Sequence, residues 1–255
     1  MPVECGRLSP MTKLYINSSV LSIALNATFF GFVIYADKLY DIGKCWSSYV
    51  LLLLPGIELL KDYYVRNAFQ LEGVAKSSSS TASGSIGQQQ GGSRLPKNQP
   101  KRPSPVKELA GALFVFLLTM LFYGFICLIL GAPLDQYEET TSLALTLTTL
   151  TIFPVLLFIG HTETLQLLFT ETLELRTPLA NGYLKLLKNN CIGVILGAWG
   201  ASVVAPLDWD RPWQVYPVPN VVGAIGGAFG MSVYTLLSTT YYAFCCKPGR
   251  KKQMV

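Results

Sequence analysis

Residues 109–130 read LAGALFVFLLTMLFYGFICLIL, an apolar run without a charged side chain. A helix needs about 20 consecutive apolar residues to cross the hydrocarbon core of a bilayer, and it pairs its backbone amides within the segment. The composition of the chain fits the same environment. Of its 255 residues, 51% are hydrophobic and 14% are charged, whereas soluble domains carry about 25% charged residues. We therefore predict that this run is a transmembrane helix.

Five further apolar runs predict an all-α polytopic membrane protein with about six transmembrane helices. The second run is short and contains Pro55 and Glu58, and we expect this glutamate to reach towards the headgroups at the end of its span. The fourth run is rich in threonine, whose hydroxyls should bond backbone carbonyls or a neighbouring helix. The predicted spans are 18–36, 45–60, 109–130, 141–160, 190–205 and 221–244.

Residues 74–106 are rich in Ser, Gly, Gln and Pro. Such a segment cannot bury enough apolar area to offset the entropy lost on ordering, so we predict a disordered linker. It would separate an N-terminal pair of transmembrane helices, residues 1–73, from a four-helix transmembrane region, residues 107–255.

Lysine and arginine are distributed unequally between the two sides of this six-span arrangement. One set of segments holds 17 of the 20 basic residues: 1–17, 61–108, 161–189 and 245–255. The connections on the opposite side hold the other three. Because basic residues accumulate in cytosolic loops, we predict cytosolic termini, a cytosolic linker and a lumenal loop 206–220. The basic residues flank apolar runs, where lipid headgroups lie, so we predict no nucleic-acid partner.

The loop 206–220 reads PLDWDRPWQVYPVPN. Its prolines disfavour helix. Trp and Tyr favour the membrane interface, so one interpretation is an interfacial turn. Aromatic residues and Arg also dominate protein contacts, so the other is a rigid surface that binds a partner or a lipid. The candidate contact residues are Asp208, Trp209, Asp210, Arg211, Pro212, Trp213 and Gln214.

Glycines recur at four-residue spacing in the last two predicted spans. This spacing lets two helices approach closely and gain dispersion contacts. The glycines either pack these two spans against each other or dock the helices of a partner. The helix-packing candidates are Gly193, Gly197, Gly223, Gly226, Gly227 and Gly230.

Catalytic chemistry has little support in the sequence. The single histidine, His161, cannot build a zinc site, and we expect it to face water or headgroups. Asp208 and Asp210 form only a pair. We therefore predict no catalytic residue, no metal and no cofactor. The alternative function is a transporter or a lipid-handling protein that presents a lipid substrate in the membrane.

The stretch LGAWGASVVAPLDWDRPWQVYPVPNVVGAIGGAFG, residues 196–230, closely resembles the PIG-F family of glycosylphosphatidylinositol (GPI) anchor biosynthesis. The Gly-Ala-Trp at Gly197, the Pro-Leu-Asp-Trp-acidic-Arg-Pro-Trp-Gln run from Pro206 and the glycine-rich span that follows carry the resemblance. Tyr123-Gly124, the Gly-Ala-Pro-Leu at 131–134 and the Thr-Xaa-Xaa-Pro at 151–154 also look like the family.

The resemblance implies a noncatalytic membrane subunit of the endoplasmic reticulum. Members of the family bind and stabilise the ethanolamine-phosphate transferases PIG-O and PIG-G, which add phosphoethanolamine to the GPI-anchor precursor. The expected partners are therefore PIG-O-like and PIG-G-like catalytic subunits, together with membrane lipid that includes the GPI precursor. Whether the loop contacts protein, lipid headgroup or glycan stays open at this level.

Overall fold

The computed structural model describes residues 8–44, 50–71, 105–170, 173, 175, 177–204, 207 and 211–245. Helices dominate these ranges, and short 3-10 turns lie at 50–52, 202–204 and 212–214. The α-helices are α1 (Pro10–Tyr35), α2 (Leu53–Phe69), α3 (Pro105–Ile129), α4 (Tyr137–Ile159), α5 (His161–Thr170), α6 (Pro178–Ala201) and α7 (Val218–Cys245).

Four helices of the described chain are long and apolar enough to cross a membrane, namely α1, α3, α4 and α7. The prediction of an all-α polytopic membrane protein is thus confirmed. Helices α2 and α6 do not meet this combination of length and apolar composition, and α2 is only 17 residues long. Both carry polar and charged residues along their length, among them Lys61 in α2 and Lys185 in α6.

Two helices begin well before the predicted spans because their first turns are capped. The Ser9 hydroxyl accepts a hydrogen bond from the Thr12 amide at 3.1 Å, and Pro10 follows as the first helical residue. In α6, the Thr177 hydroxyl likewise accepts a hydrogen bond from the Ala180 amide at 3.1 Å, and Pro178 is the first helical residue. A side-chain oxygen before the helix and a proline at its first position are strong start signals. Hydropathy alone does not register them.

Helix α4 lies at the centre of the bundle, where it packs against α2, α3, α6 and α7. Helices α6 and α7 form the most extensive pair, and α1 packs along α7. Helix α3 lies on the outside, against α4 and α5, with many large apolar side chains exposed. The N-terminal pair α1–α2 is therefore part of the same bundle as the helices that follow the linker.

Three of the buried threonines of α4 form hydrogen bonds within their own helix. The hydroxyls of Thr146, Thr148 and Thr151 donate to backbone carbonyls four residues earlier at 2.7–2.8 Å. The Thr151 hydroxyl also lies 3.0 Å from the Tyr123 hydroxyl on α3. The predicted role is confirmed for these three threonines, whereas the Thr149 hydroxyl is buried without a hydrogen-bond partner among the described residues.

The expectation for Glu58 is wrong. Because α2 continues to Phe69, Glu58 lies inside the helix rather than at its end, and it is 1% exposed. Lys61 and Arg66, counted above as loop charges, also belong to α2. Lys13, Lys107, Lys185 and Lys188 lie in helices as well. Without these six, 11 of the remaining 14 basic residues still lie on the predicted cytosolic side, so the two sides stay unequal in charge.

His161 differs from expectation as well. It begins α5 and is half-buried, and its ring lies against α3 so closely that a Cβ added to Gly111 would meet its Cδ2 at 2.5 Å. The predicted linker ends two residues late, since Pro105 and Val106 belong to α3. The rest of it, residues 74–104, lies outside the described residues.

Candidate partner-binding site

One glutamine organises the described part of the loop 206–220. Gln214 ends the 3-10 turn Pro212–Gln214 and is buried. Its side-chain oxygen accepts from the Arg211 amide at 2.9 Å. Its side-chain nitrogen donates to the Val204 and Leu207 carbonyls at 3.2 and 2.5 Å. The Gln214 side chain thus lies inside the loop and links Arg211 to Val204 and Leu207 through hydrogen bonds.

The loop is also anchored to two other connections of the bundle. The Tyr216 hydroxyl donates to Thr140 at the start of α4 at 3.2 Å, and burial raises the pKa of this tyrosine. Pro217 fits against Gly43 in the α1–α2 connection, where an added Cβ would meet the proline Cδ at 2.5 Å. The connections α1–α2, α3–α4 and α6–α7 therefore meet at one end of the bundle.

The remaining described candidates differ in exposure. Arg211 and Pro212 are exposed, whereas Trp213 is half-buried and packs on the apolar core beside Tyr216. Arg211 and Pro212 are thus exposed on a loop that Gln214, Tyr216 and Pro217 anchor to the rest of the bundle. Asp208, Trp209 and Asp210 lie outside the described residues.

The glycines divide into two groups. Gly193 and Gly197 on α6 face Gly223 and Gly227 on α7, backbone against backbone. A Cβ added at Gly193 would lie 2.8 Å from the Gly227 carbonyl oxygen, and the other three positions are at least as tight. These four glycines allow the closest helix contact in the bundle to form within the chain itself.

Gly226 and Gly230 behave differently. A Cβ at either position would meet no atom within 4 Å, and both residues are exposed on α7. The same face continues with Tyr234, Leu237 and Tyr241, which are 63–64% exposed. We call these five residues the α7 outer face. Its two glycines lie nearer the loop in sequence, and its three large side chains follow farther along the helix.

A sequence model described as GPI biosynthesis protein family Pig-F matches residues 10–236, nearly the whole chain. The chain belongs to the PIG-F family. The match reaches back through α1 and α2, well before the stretch that carries the sequence resemblance. The N-terminal helix pair is thus part of the PIG-F unit.

Similar proteins come from fungi and from humans. A PIGF/3-ketodihydrosphingosine reductase fusion protein of Schizosaccharomyces pombe is 35% identical over 148 residues, 54% of this PIG-F chain and 27% of that protein. A GPI ethanolamine phosphate transferase, stabilizing subunit, of Homo sapiens is 31% identical over 140 residues, 52% of this chain and 60% of that protein. Glycosylphosphatidylinositol anchor biosynthesis protein 11 of Aspergillus fumigatus is 27% identical over 152 residues, which are 58% of this chain and 48% of that protein. The matched stretch covers less than two thirds of each relative. No solved structure matches the PIG-F chain.

Sequence reasoning missed a polar cluster inside the PIG-F bundle. On α2, the Lys61 ammonium pairs with Glu58 at 2.6 Å, and Arg66 Nε pairs with Asp62 at 2.7 Å. The partners lie three residues apart in the first pair and four apart in the second, and all four residues are on the side of α2 that turns inward. The spacing of these four residues could have predicted the two pairs. From hydropathy, however, Glu58 was assigned to the end of a span and the other three residues to a loop.

In the described part of the PIG-F chain, no three His, Cys, Asp or Glu side chains lie close enough together to hold a metal ion. The acidic groups of the α2 cluster are neutralised by their own lysine and arginine. The described residues thus leave two exposed features, the Arg211–Pro212 part of the loop and the α7 outer face.

Proposed function

We propose that this protein is a noncatalytic subunit that binds and stabilises GPI ethanolamine-phosphate transferases of the PIG-O and PIG-G type. It would thereby support phosphoethanolamine addition to the GPI-anchor precursor. The observation that carries the proposal is the PIG-F match over residues 10–236, together with the human relative named as the stabilizing subunit of such a transferase. The protein would reside in the endoplasmic reticulum membrane, with the PIG-F bundle embedded beside its partner.

In the proposed topology six helices cross the membrane, with both termini and the linker in the cytosol. The α1–α2, α3–α4 and α6–α7 connections meet at one end of the bundle. This supports a topology in which successive spans cross the membrane in opposite directions. Helix α2 can cross despite its charges because they are paired inside the bundle. In α6 both lysines lie in the first half of the helix, towards the proposed cytosolic side. Helix α5 would then lie on the cytosolic side.

The proposed docking surface combines the α7 outer face with Arg211 and Pro212. Glycine within a helix costs about 1 kcal/mol relative to alanine, and at Gly226 and Gly230 no contact within the described chain offsets that cost. A transmembrane helix of the transferase packed against these two glycines would supply the missing contacts. Its lumenal part would then reach the loop, where Arg211 can form charge-assisted hydrogen bonds. Membrane lipid, including the GPI precursor, would fill the rest of this surface.

The test is affinity purification of the tagged protein in mild detergent, followed by identification of the chains that accompany it. We expect a large transferase at near-equal abundance. If the protein instead purifies alone and moves lipid between leaflets of a liposome, the lipid-handling function replaces the proposed one.

A further inference from the structure

A small cavity of about 10 Å³ lies between α1, α2, α6 and α7. It sits far from the proposed docking loop, near the middle of these helices. Its polar lining consists of Ser18, Ser22, Lys61, Tyr183, Asn190 and Ser232. A cavity needs about 10–15 Å³ on the same measure to hold one water molecule.

Asn190 on α6 supplies an acceptor that needs a partner. The residue is 5% exposed, and its side-chain oxygen has no hydrogen-bond donor among the residues that the structure describes. A buried acceptor without a donor loses its hydration and gains nothing in return. The cavity beside Asn190 is the place from which a donor can reach it.

Lys61 on α2 supplies the complementary donor. Its ammonium lies 2.7 Å from Oε1 and 2.6 Å from Oε2 of Glu58. An ammonium has three N–H donors, so the carboxylate uses two of them at most. The third is left for the cavity that Lys61 lines.

We propose that this cavity binds one ordered water molecule, which accepts from Lys61 and donates to Asn190. A second proton of the water can reach a serine hydroxyl of the lining, which completes the usual three or so hydrogen bonds of a buried water. A metal cation is excluded because the Lys61 ammonium already brings a positive charge to the site. An anion would have to compete with Glu58 for the same lysine.

The water would connect the two parts of the chain that the linker separates. Lys61 belongs to the N-terminal helix pair, and Asn190 belongs to the C-terminal helices. A second polar contact already joins these parts next to the cavity, since the Ser22 and Ser232 hydroxyls of α1 and α7 lie 3.0 Å apart. The cavity is therefore a polar junction between the two parts in the interior of the bundle.

The first test compares two apolar substitutions of buried, unpartnered side chains. Asn190→Leu removes the acceptor and displaces the water, which leaves a Lys61 donor unpaired. We expect the melting temperature of the purified full-length protein to fall by at least about 2–4 °C, the shift that one hydrogen bond is worth in a chain of this size. The control is Thr149→Val on α4, because the Thr149 hydroxyl is also buried without a partner but does not line the cavity. Its melting temperature should stay the same or rise.

An unchanged or higher melting temperature for Asn190→Leu would mean that the acceptor is simply unsatisfied and the cavity is dry. A second measurement guards against a variant that fails to fold. In a structure of the wild-type protein at a resolution that shows waters, density should lie within hydrogen-bond distance of both Asn190 Oδ1 and Lys61 Nζ. Absence of that density overturns the proposal.

Discussion

Arg66 lies near the end of α2, where a charge inside the bundle is costly unless it is paired. Its Nε donates to Asp62, its terminal nitrogen donates to the Leu157 carbonyl, and its guanidinium lies 5.5 Å from the ring centre of Phe158. Leu157 is among the last four residues of α4, whose carbonyls lack partners within the helix. Arg66 thus ties the end of α2 to the end of α4.

Arg66→Leu should leave Asp62 buried without its cation and Leu157 without its donor. Removing one partner of a buried pair costs about 3–5 kcal/mol, and we expect the lower end because the Arg66 side chain is one-third exposed. The control is Lys38→Leu, which breaks the exposed pair with Asp41 and should cost less than about 1 kcal/mol. Thermal unfolding of both variants in detergent measures the difference, and equal losses would show that Arg66 has no such role.

At the scale of the elements, the long apolar helices α3, α4 and α7 could be read from hydropathy, and the ends of these helices agree with the predicted spans within a few residues. Helices α2 and α6 were placed less well. A hydropathy pattern treats Lys61 and Asp62 as residues that seek water, because it does not register that a partner lies one turn away. In the loop, too, a sequence pattern does not show which side chains find partners within the chain. Gln214 was predicted to contact a partner, but it lies inside the loop and bonds loop carbonyls.

The glycine spacing predicted close helix contact but left open which glycines serve which role. Geometry separates them, and two variants should therefore fail in different ways. Gly197→Leu drives a side chain into the α7 backbone, so it should destabilise the protein itself by about 3 kcal/mol or more.

Gly226→Leu combined with Gly230→Leu should not lower the melting temperature of the isolated protein and should raise it modestly, because both positions are open and leucine is a better helix former than glycine. It should nevertheless reduce the amount of transferase that co-purifies. Gly31→Leu on α1 is the matched control, since that glycine is also exposed and open within this chain. If the control lowers transferase recovery equally, the α7 outer face has no special part in docking.

At the scale of the whole molecule, the bundle has one end where three connections are joined and where the loop with Arg211 is held. The opposite side of the predicted topology carries most of the basic residues. The sequence indicated this polarity through charge alone. It could not indicate that α1 and α2 complete the same bundle, because their contacts with α4 and α7 cross the long linker and leave no local pattern.

The central claim is that the protein stabilises a transferase and performs no chemistry. The most direct test replaces Trp209, Arg211 and Trp213 with alanine and measures ethanolamine-phosphate transfer divided by the amount of transferase present. We expect less transferase and an accumulation of GPI precursors without phosphoethanolamine, while the activity per transferase molecule stays normal. A collapse of that ratio in a complex that remains intact would contradict the account, because the loop would then take part in substrate handling or catalysis.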